Sequence, residues 1–147
     1  LATTQWPRVE SRPLVAVDIG PVIAPARLTE NPVTTPRDLL RHPLLHEDSR
    51  DIWQQWFAAA GVTDAETNHG PVYGDCGLTL QAAMRNRGTA LVDTLFSAED
   101  IAAGRLVRPF ALTVPYGAYF IVTRRFDLLP EAETAFVTWL QARLATS

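Results

Sequence analysis

The chain of 147 residues is long enough for one domain with a hydrophobic core. A hydrophobic content of 47%, a charged content of 20% and a net charge of -3 do not mark a nucleic-acid-binding surface. The single cysteine excludes an intrachain disulfide, and no apolar run reaches the ~18 residues of a membrane-spanning helix. With no signal-peptide pattern and no initiator Met, we expect a cytoplasmic protein of which this chain is a fragment.

Apolar, β-branched runs alternate with amphipathic segments along the whole chain, which predicts the α/β class. Continuous apolar runs are typical of strands that are buried on both faces of a parallel or mixed sheet. The predicted strands are Leu14–Ile23 (interrupted at Gly20-Pro21), Pro43–His46, a strand near Val72-Tyr73, Thr89–Leu95, Leu106–Phe110 and Tyr119–Thr123.

Capping residues mark where the predicted helices begin, and glycine or proline marks where most of them end. Thr35 and Asp38 match a capping box, and His42-Pro43 ends that short helix. The apolar helix faces, which include Trp53, Trp56 and Phe57 and also Phe136, Trp139 and Leu140, are expected in the core. The other predicted helices are one capped by Asp48 or Ser49 and ended by Gly61, Leu78–Asn86 closed by Gly88, a turn capped at Ser97 and closed by Gly104, and a last helix from Pro130.

Polar residues follow two of the predicted strands, and such strand ends are where open α/β sheets bind small ligands. Asp75 either caps the following helix or binds a ligand, and for Ser49 capping alone is the simpler interpretation. The predicted ligand-binding residues are His46, Asp48, Ser49, Tyr73, Asp75, Cys76 and Gly77.

Two patterns that could carry other chemistry are incomplete. His42 and His46 have a spacing that suits a metal on a helix, but Pro43 interrupts the helix, so we predict no metal and interpret His42 as a helix-end residue favoured by the dipole. Cys76 lies near a predicted helix N-terminus, where the dipole lowers a thiol pKa, and His46 or His69 could serve as its base. No phosphate loop or nucleophile elbow accompanies it, so the sequence predicts neither an enzyme nor a cofactor.

Four local patterns, in order over nearly the whole chain, resemble the effector-binding (substrate-binding) domain of LysR-type transcriptional regulators, in particular the branch similar to the glycine-cleavage activator. They are Trp6-Pro7 with Pro21–Leu28; Thr35–Leu39 with His42–His46 and Ser49-Arg50; Leu80–Ala83 with Gly88–Leu91 and Asp100–Phe110; and Phe136 with Trp139-Leu140.

The resemblance implies a fold like a type II periplasmic binding protein, with a small-molecule effector bound between two lobes, and we expect an organic acid as the effector. Residues 1–13 would be a remnant of lobe I or a linker, residues 14–110 the complete lobe II, and residues 111–147 the returning strand and final helix of lobe I. DNA would be bound only through a helix-turn-helix that precedes the domain, in a homodimer or homotetramer.

Three further expectations follow from this interpretation. Because the partner of the final helix would be missing, we expect a swapped contact or a dimer there, and weak ligand binding by this chain. A solute-binding protein of a transporter, which shares the fold, is the first alternative. A small cysteine-dependent enzyme that uses Cys76 is the second.

Overall fold

The computed structural model describes residues 7–144, in which strands and helices alternate. Two short 3-10 helices, Pro36–Arg41 and Phe126–Leu128, accompany the longer elements of this region. The strands are β1 (Glu10–Val22), β2 (Leu44–Glu47), β3 (Val72–Tyr73), β4 (Thr89–Asp93) and β5 (Val114–Thr123), and the α-helices are α1 (Pro25–Glu30), α2 (Asp51–Ala59), α3 (Cys76–Met84), α4 (Thr94–Ala102) and α5 (Glu131–Leu144).

The strands form one mixed sheet in the order β3-β2-β4-β1-β5. β2 pairs in parallel with β3 and with β4, whereas β1 is antiparallel to β4. The predicted α/β class is therefore confirmed, and the sheet, for which the sequence left parallel and mixed pairing open, is mixed. Because β2 and β3 are parallel neighbours, their carboxyl ends lie at the same edge of the sheet.

The backbone contacts divide the chain into two compact units. The central unit is Asp18–Val114, and the terminal unit combines Leu1–Val17 with Pro115–Ser147. The central unit contains β2, β3, β4 and the helices α1 to α4. The assignment of residues 1–13, 14–110 and 111–147 to particular lobes stays a prediction.

An aromatic cluster anchors α2 in the central unit. Trp53, Trp56 and Phe57 are fully buried, and their ring centroids lie 5.3–6.0 Å apart. Each indole N–H has an acceptor, since Trp53 Nε1 donates to the Leu45 carbonyl and Trp56 Nε1 donates to the Leu112 carbonyl, both at 3.0 Å. The core position predicted for this helix face is confirmed, as is the end of the helix at Gly61, which has a positive φ of 79°.

A second apolar cluster packs α3 and α4 against one face of the sheet. Leu45 of β2 contributes to it, and so do Ala90 and Val92, which are two residues apart on β4. Ala82 and Ala83 supply the surface of α3, and the partly buried Ile101 belongs to α4. Small alanines let the helix lie close to the strands, and residues alternate in direction along each strand. The face of β2 that carries Leu45 is therefore the face that α3 covers.

The predicted capping box at the 3-10 helix is confirmed through its carboxylate. Asp38 accepts hydrogen bonds from the backbone N–H groups of Thr34 and Thr35 at 2.9 and 2.8 Å. These bonds hold the pKa of Asp38 far below its usual range. The helix ends where predicted, because His42 has an extended backbone before Pro43.

Two strand predictions need correction. β1 begins at Glu10 and continues through Gly20-Pro21 without a break, because Gly20 is paired with Val92 and Pro21 with Leu91 of β4. Leu106–Phe110 is not a strand in the described structure. Only Val107 pairs, exchanging two backbone hydrogen bonds with Ile23 at 2.8 and 3.0 Å, and Pro109 lacks the N–H that a longer ladder would need.

The boundary between β4 and α4 also differs from the prediction. β4 ends at Asp93, whose carboxylate accepts the Leu95 N–H at 2.8 Å and so caps α4. Ser97, the predicted cap, is instead buried inside α4 and donates to the Asp93 carbonyl at 2.9 Å. The predicted end of this helical turn at Gly104 is confirmed by the positive φ of that residue, 71°.

Gly88 does not end α3, contrary to the sequence prediction. The helix spans Cys76–Met84, and Asn86, with a φ of 60°, takes the left-handed conformation that ends it. Gly88 is buried beside the chain at Pro43, where a Cβ would lie 2.2 Å from the Pro43 carbonyl oxygen. Glycine is required there by close packing against β2, not by a helix end.

The final helix does not contribute side chains to a hydrophobic core in the described structure. Its start after Pro130 is confirmed, but α5 has no buried residue among Glu131–Leu144. Phe136 and Trp139 are 58% and 59% exposed and pack on each other, with ring centroids 5.9 Å apart. The expectation that this face forms core is therefore wrong for the described residues.

Across the described residues, no helix combines the length and the apolar character that crossing a membrane demands.

We expect Gly88→Ala to lower the free energy of unfolding by about 1–3 kcal/mol, the usual cost of overpacking. The added methyl would collide with the Pro43 carbonyl. Urea denaturation measures the change, and Gly74→Ala is the control, because a Cβ at Gly74 meets no atom within 4 Å. Equal stabilities of the two variants would contradict the close approach.

Candidate functional site

The ends of β2 and β3 bring most of the predicted ligand-binding residues to one edge of the central unit. His46 is paired with Val72 and Glu47 with Tyr73, in parallel register. The Asp48 N–H donates to the Tyr73 carbonyl at 3.1 Å, which joins the two segments directly after the strands. We call this region the β2–β3 edge, and it comprises His46–Arg50 and Tyr73–Gly77.

A sharp turn exposes the first of these segments. Asp48 has a φ of 53°, a left-handed conformation that aspartate tolerates better than most residues. The Ser49 N–H returns to the Glu47 carbonyl at 2.5 Å, and both Asp48 and Ser49 are exposed. Neither is the N-terminal cap of α2, which falls on Arg50, although the Ser49 hydroxyl accepts the Asp51 N–H in a long 3.4 Å contact. The predicted cap is therefore displaced along the chain.

His46 belongs to the interior of this edge and not to its surface. It lies within β2 and is fully buried, and its Nε2 donates to the His69 carbonyl at 2.8 Å. Burial lowers the pKa of His46, the nearby Arg50 charge lowers it further, and the hydrogen bond to His69 only partly opposes them. A neutral ring therefore holds the segment before β3 against β2.

The second segment is organised by the start of α3. The Asp75 carboxylate accepts the Leu78 N–H at 2.8 Å, which confirms the capping interpretation of this residue. The Asp75 carbonyl accepts the Thr79 hydroxyl at 2.9 Å. At Gly77, a Cβ would lie 3.1 Å from the capping oxygen, so glycine leaves that oxygen accessible. Tyr73, Cys76 and Gly77 are each partly buried.

Glu47 is a functional candidate that the sequence analysis did not single out. It is two residues from Leu45 and therefore faces α3, where its charge acts on Cys76. Burial raises the pKa of Glu47, and the negative charges of Asp48 and Asp75 raise it further. If the predicted strand Pro43–His46 had been extended by one residue, the alternation of side chains would have placed Glu47 and His46 on opposite faces of the sheet.

Cys76 does not have the activated thiol that the helix dipole suggested. Burial raises the pKa of Cys76, and the negative charges of Glu47 and Asp75 raise it as well. Backbone N–H groups at Cys76 and Gly77 act in the opposite direction but are outweighed. The helix dipole therefore does not lower the pKa of Cys76, and the environment favours the protonated thiol.

Arg50 is the second residue that the sequence analysis missed, although it belongs to the quoted Ser49-Arg50 pattern. Its Nη1 is buried without a hydrogen-bond partner, and Arg50 forms no ion pair with a carboxylate in residues 7–144. Its charge acts on His46 but does not offset the raised pKa of Glu47. The edge thus has a basic side near His46 and an acidic side near α3.

The structure places the two histidines of the predicted pair in different elements. His42 follows the 3-10 helix and His46 lies in β2, so the two are not on one helix. Burial lowers the pKa of His42, and the Arg27 charge lowers it further, which contradicts a protonated histidine stabilised by a helix end. Within the described residues, no group of three or more potential metal ligands occurs.

The mixed sheet and its helices define the chain as an α/β domain with the fold of the type II periplasmic binding proteins. Residues 1–145 match the family described as the LysR substrate binding domain, and the chain therefore belongs to that family.

Curated relatives are transcriptional activators. The chain is 34% identical over 142 residues to the glycine cleavage system transcriptional activator of Escherichia coli, covering 95% of this chain and 47% of that protein. It is 33% identical over 135 residues to the HTH-type transcriptional activator AmpR of Citrobacter koseri, covering 92% and 46%. The chain thus spans about half the length of the curated relatives it matches. These matches support a regulator and give no support to the transporter or enzyme alternatives.

Solved structures show the same fold. The effector domain of AmpR of Pseudomonas aeruginosa superposes with a TM-score of 0.82 at 28% identity, over 97% of this chain and 68% of that one. The AmpR effector binding domain from Citrobacter freundii gives a TM-score of 0.84 at 24% identity, over 97% and 71%.

We expect Cys76 to react slowly with iodoacetamide at neutral pH. Its raised pKa leaves less thiolate than in the unfolded chain, and thiolate is the reactive form. Mass spectrometry of the alkylated protein, in buffer and in urea, gives the two rates. Glu47→Gln should speed labelling of the folded protein by removing a negative charge. Labelling of the native protein as fast as in urea would contradict the raised pKa.

We expect the folded state to lose stability as the pH falls below about 6.5, the ordinary pKa of the two buried histidines. Their folded-state pKa values are lowered, so the unfolded chain binds protons first. Urea titrations between pH 7 and pH 5 should show that the free energy of unfolding falls less for His46→Gln than for the unmodified protein. The raised pKa of Glu47 makes the folded state less stable as the pH rises above 4.5, which opposes the effect of the histidines. Glu47 is present in both the unmodified protein and His46→Gln, so it does not affect the comparison. An unchanged slope in His46→Gln would contradict a neutral buried ring.

Proposed function

We propose that this chain is the effector-sensing domain of a LysR-type transcriptional regulator and binds a small organic acid at the β2–β3 edge. Family membership supports the regulator. The unpaired guanidinium of Arg50, beside the ends of two parallel strands, is the observation that carries the ligand class. DNA binding belongs to a helix-turn-helix domain outside this chain.

Arg50 supplies the positive group for a carboxylate. A guanidinium presents two parallel N–H donors that match both oxygens of a carboxylate, and it stays charged at any physiological pH. The residue is partly buried, so a bound anion would be shielded from water and held more strongly than at an exposed site.

The remaining residues of the edge fit the recognition of a single acidic group. The edge is lined by Asp48, Ser49, Tyr73, Asp75, Cys76 and Gly77. The buried His46 holds the segment before β3 in place through its hydrogen bond to the His69 carbonyl. Glu47 and Asp75 make the side near α3 negative, which would repel a second carboxylate or attract a hydroxyl or amino group there. We infer an effector whose acidic group is at one end.

The proposal also extends to the whole regulator. Effector binding would favour one conformation of the protein over another, and such coupling typically amounts to ~1–3 kcal/mol. A cytoplasmic location and a homodimer or homotetramer are part of the proposal. The exposed Phe136 and Trp139 support a further contact through α5 in that assembly.

A comparison of acetate with acetamide tests the ligand class. The two probes have nearly the same shape, but only acetate carries a charge. We expect saturable amide NMR shifts within residues 46–50 and 73–77 for acetate alone. Arg50→Gln should weaken this binding at least about tenfold, because a charged hydrogen bond is lost.

Two controls make the outcome specific. Arg85→Gln removes an exposed arginine at the end of α3 and should leave acetate binding unchanged. Arg50→Lys keeps the charge without the two-pronged donor geometry and should bind with intermediate affinity. Equal shifts from acetamide, or full binding by Arg50→Gln, would reject an acid at this edge.

A further inference from the structure

Three large apolar side chains are exposed in the central unit, and all of them lie at one edge of its sheet. Among the described residues of Asp18–Val114 they are Val72, Leu78 and Phe96, which are 45%, 50% and 55% exposed. Single exposed apolar side chains are ordinary in proteins. Their restriction to one edge is not, because an exposed apolar patch marks a surface that another molecule contacts.

The chain order places these residues at the carboxyl ends of the parallel strands. Val72 belongs to β3 and is paired with His46 of β2. Leu78 is the third residue of α3, which follows β3, and Phe96 is the third residue of α4, which follows β4. Because β3 and β4 are both parallel to β2, both helices begin at the same edge of the sheet. We call Val72, Leu78 and Phe96 the apolar rim.

The geometry of a helix directs Leu78 and Phe96 toward that edge. Each Cα–Cβ bond in an α-helix tilts toward the helix N-terminus, and here both N-termini lie at the strand ends. The apolar cluster beneath α3 is formed by Ala82 and Ala83, and the buried residue of α4 is Ser97. Leu78 and Phe96 therefore lean over the carboxyl ends of the strands and are not part of the core.

Local helix chemistry favours a different kind of residue at both positions. Asp75 caps α3 and Asp93 caps α4, so Leu78 and Phe96 are each the third residue after a cap. An acid or an amide is favoured there, because it can bond back to the cap and because the helix dipole attracts negative charge. Neither helix has an acid in its first turn. Helix stability does not account for the two apolar side chains, which leaves contact with another molecule.

The apolar rim adjoins the proposed acid site on both faces of the sheet. Paired residues share a face, so Val72 lies beside His46, on whose pKa the Arg50 charge acts. On the other face, the Leu78 N–H donates to the Asp75 carboxylate at 2.8 Å. A ligand held by Arg50 at the strand ends therefore has apolar side chains on either side of it.

We propose that the effector is an amphipathic monocarboxylate, whose carboxylate binds Arg50 and whose apolar body contacts the apolar rim. This inference rests on the proposed effector site at the β2–β3 edge. Contact with the rim removes apolar surface from water and so adds to the affinity. The negative charges of Asp48 and Asp75, which act on Glu47, would repel a second carboxylate. The effector class is therefore a fatty or aromatic acid and not a dicarboxylate.

A homologous series of acetate, butyrate and hexanoate tests the proposal, with binding followed by the amide NMR shifts of residues 46–50 and 72–78. Full burial of one methylene group strengthens binding about fourfold. Hexanoate, which is longer than acetate by four methylene groups, should bind at least about tenfold more tightly even when it is only partly buried. Butyrate should be intermediate. 1-Hexanol, which lacks the charge, should bind more weakly than hexanoate.

Variants of the apolar rim show whether the added affinity arises there. Leu78→Asn and Phe96→Ser change exposed side chains, so both proteins should fold. Each should lower the ratio of hexanoate affinity to acetate affinity about threefold, because apolar contact is lost. Leu128→Asn is the control, since Leu128 is 68% exposed but belongs to the terminal unit, and it should leave that ratio unchanged.

The acid site and the apolar rim can fail separately in this experiment. If acetate binds through Arg50 but hexanoate binds no more tightly, the rim contacts another protein surface and the amphipathic effector is wrong. If hexanoate depends on Leu78 and Phe96 but not on Arg50, the acid site is wrong and the ligand is an uncharged apolar molecule. A loss in Leu128→Asn equal to that in the rim variants would show nonspecific binding and would also overturn the proposal. If no carboxylate binds, both proposals are wrong.

Discussion

The parallel pairing of β2 with both β3 and β4 is the constraint on which the central unit depends. It places the carboxyl ends of β2 and β3 at one edge, where Asp48 bonds to Tyr73, and the amino ends of β2 and β4 at the opposite edge. Close packing accompanies it, since a Cβ at Gly70 would collide with the Leu44 backbone of β2 and a Cβ at Gly88 would collide with the carbonyl of Pro43, the residue before β2. The position of the proposed effector site follows from this arrangement.

Burial, and not the helix dipole, sets the electrostatics of the β2–β3 edge. The start of α3 offers N–H groups that would stabilise a thiolate, but burial raises the pKa of Cys76, and the negative charges of Glu47 and Asp75 raise it further. On the other face of β2, burial and Arg50 keep His46 neutral. The alternation of side chains along a strand thus separates an acidic side from a basic one across a single backbone.

The sequence by itself determined the elements that depend on local chemistry. The capping carboxylates of Asp38 and Asp75, the stop at Pro43 and the apolar face of α2 are all written in residues a few positions apart. Only the tertiary structure decided which glycine ends a helix and which allows two segments of the chain to pack closely. It also decided that α5 contributes no buried residue, and that Glu47 and Arg50 supply the charges of the β2–β3 edge. Those properties depend on burial and on partners distant in the chain, and neither can be predicted from residues a few positions apart.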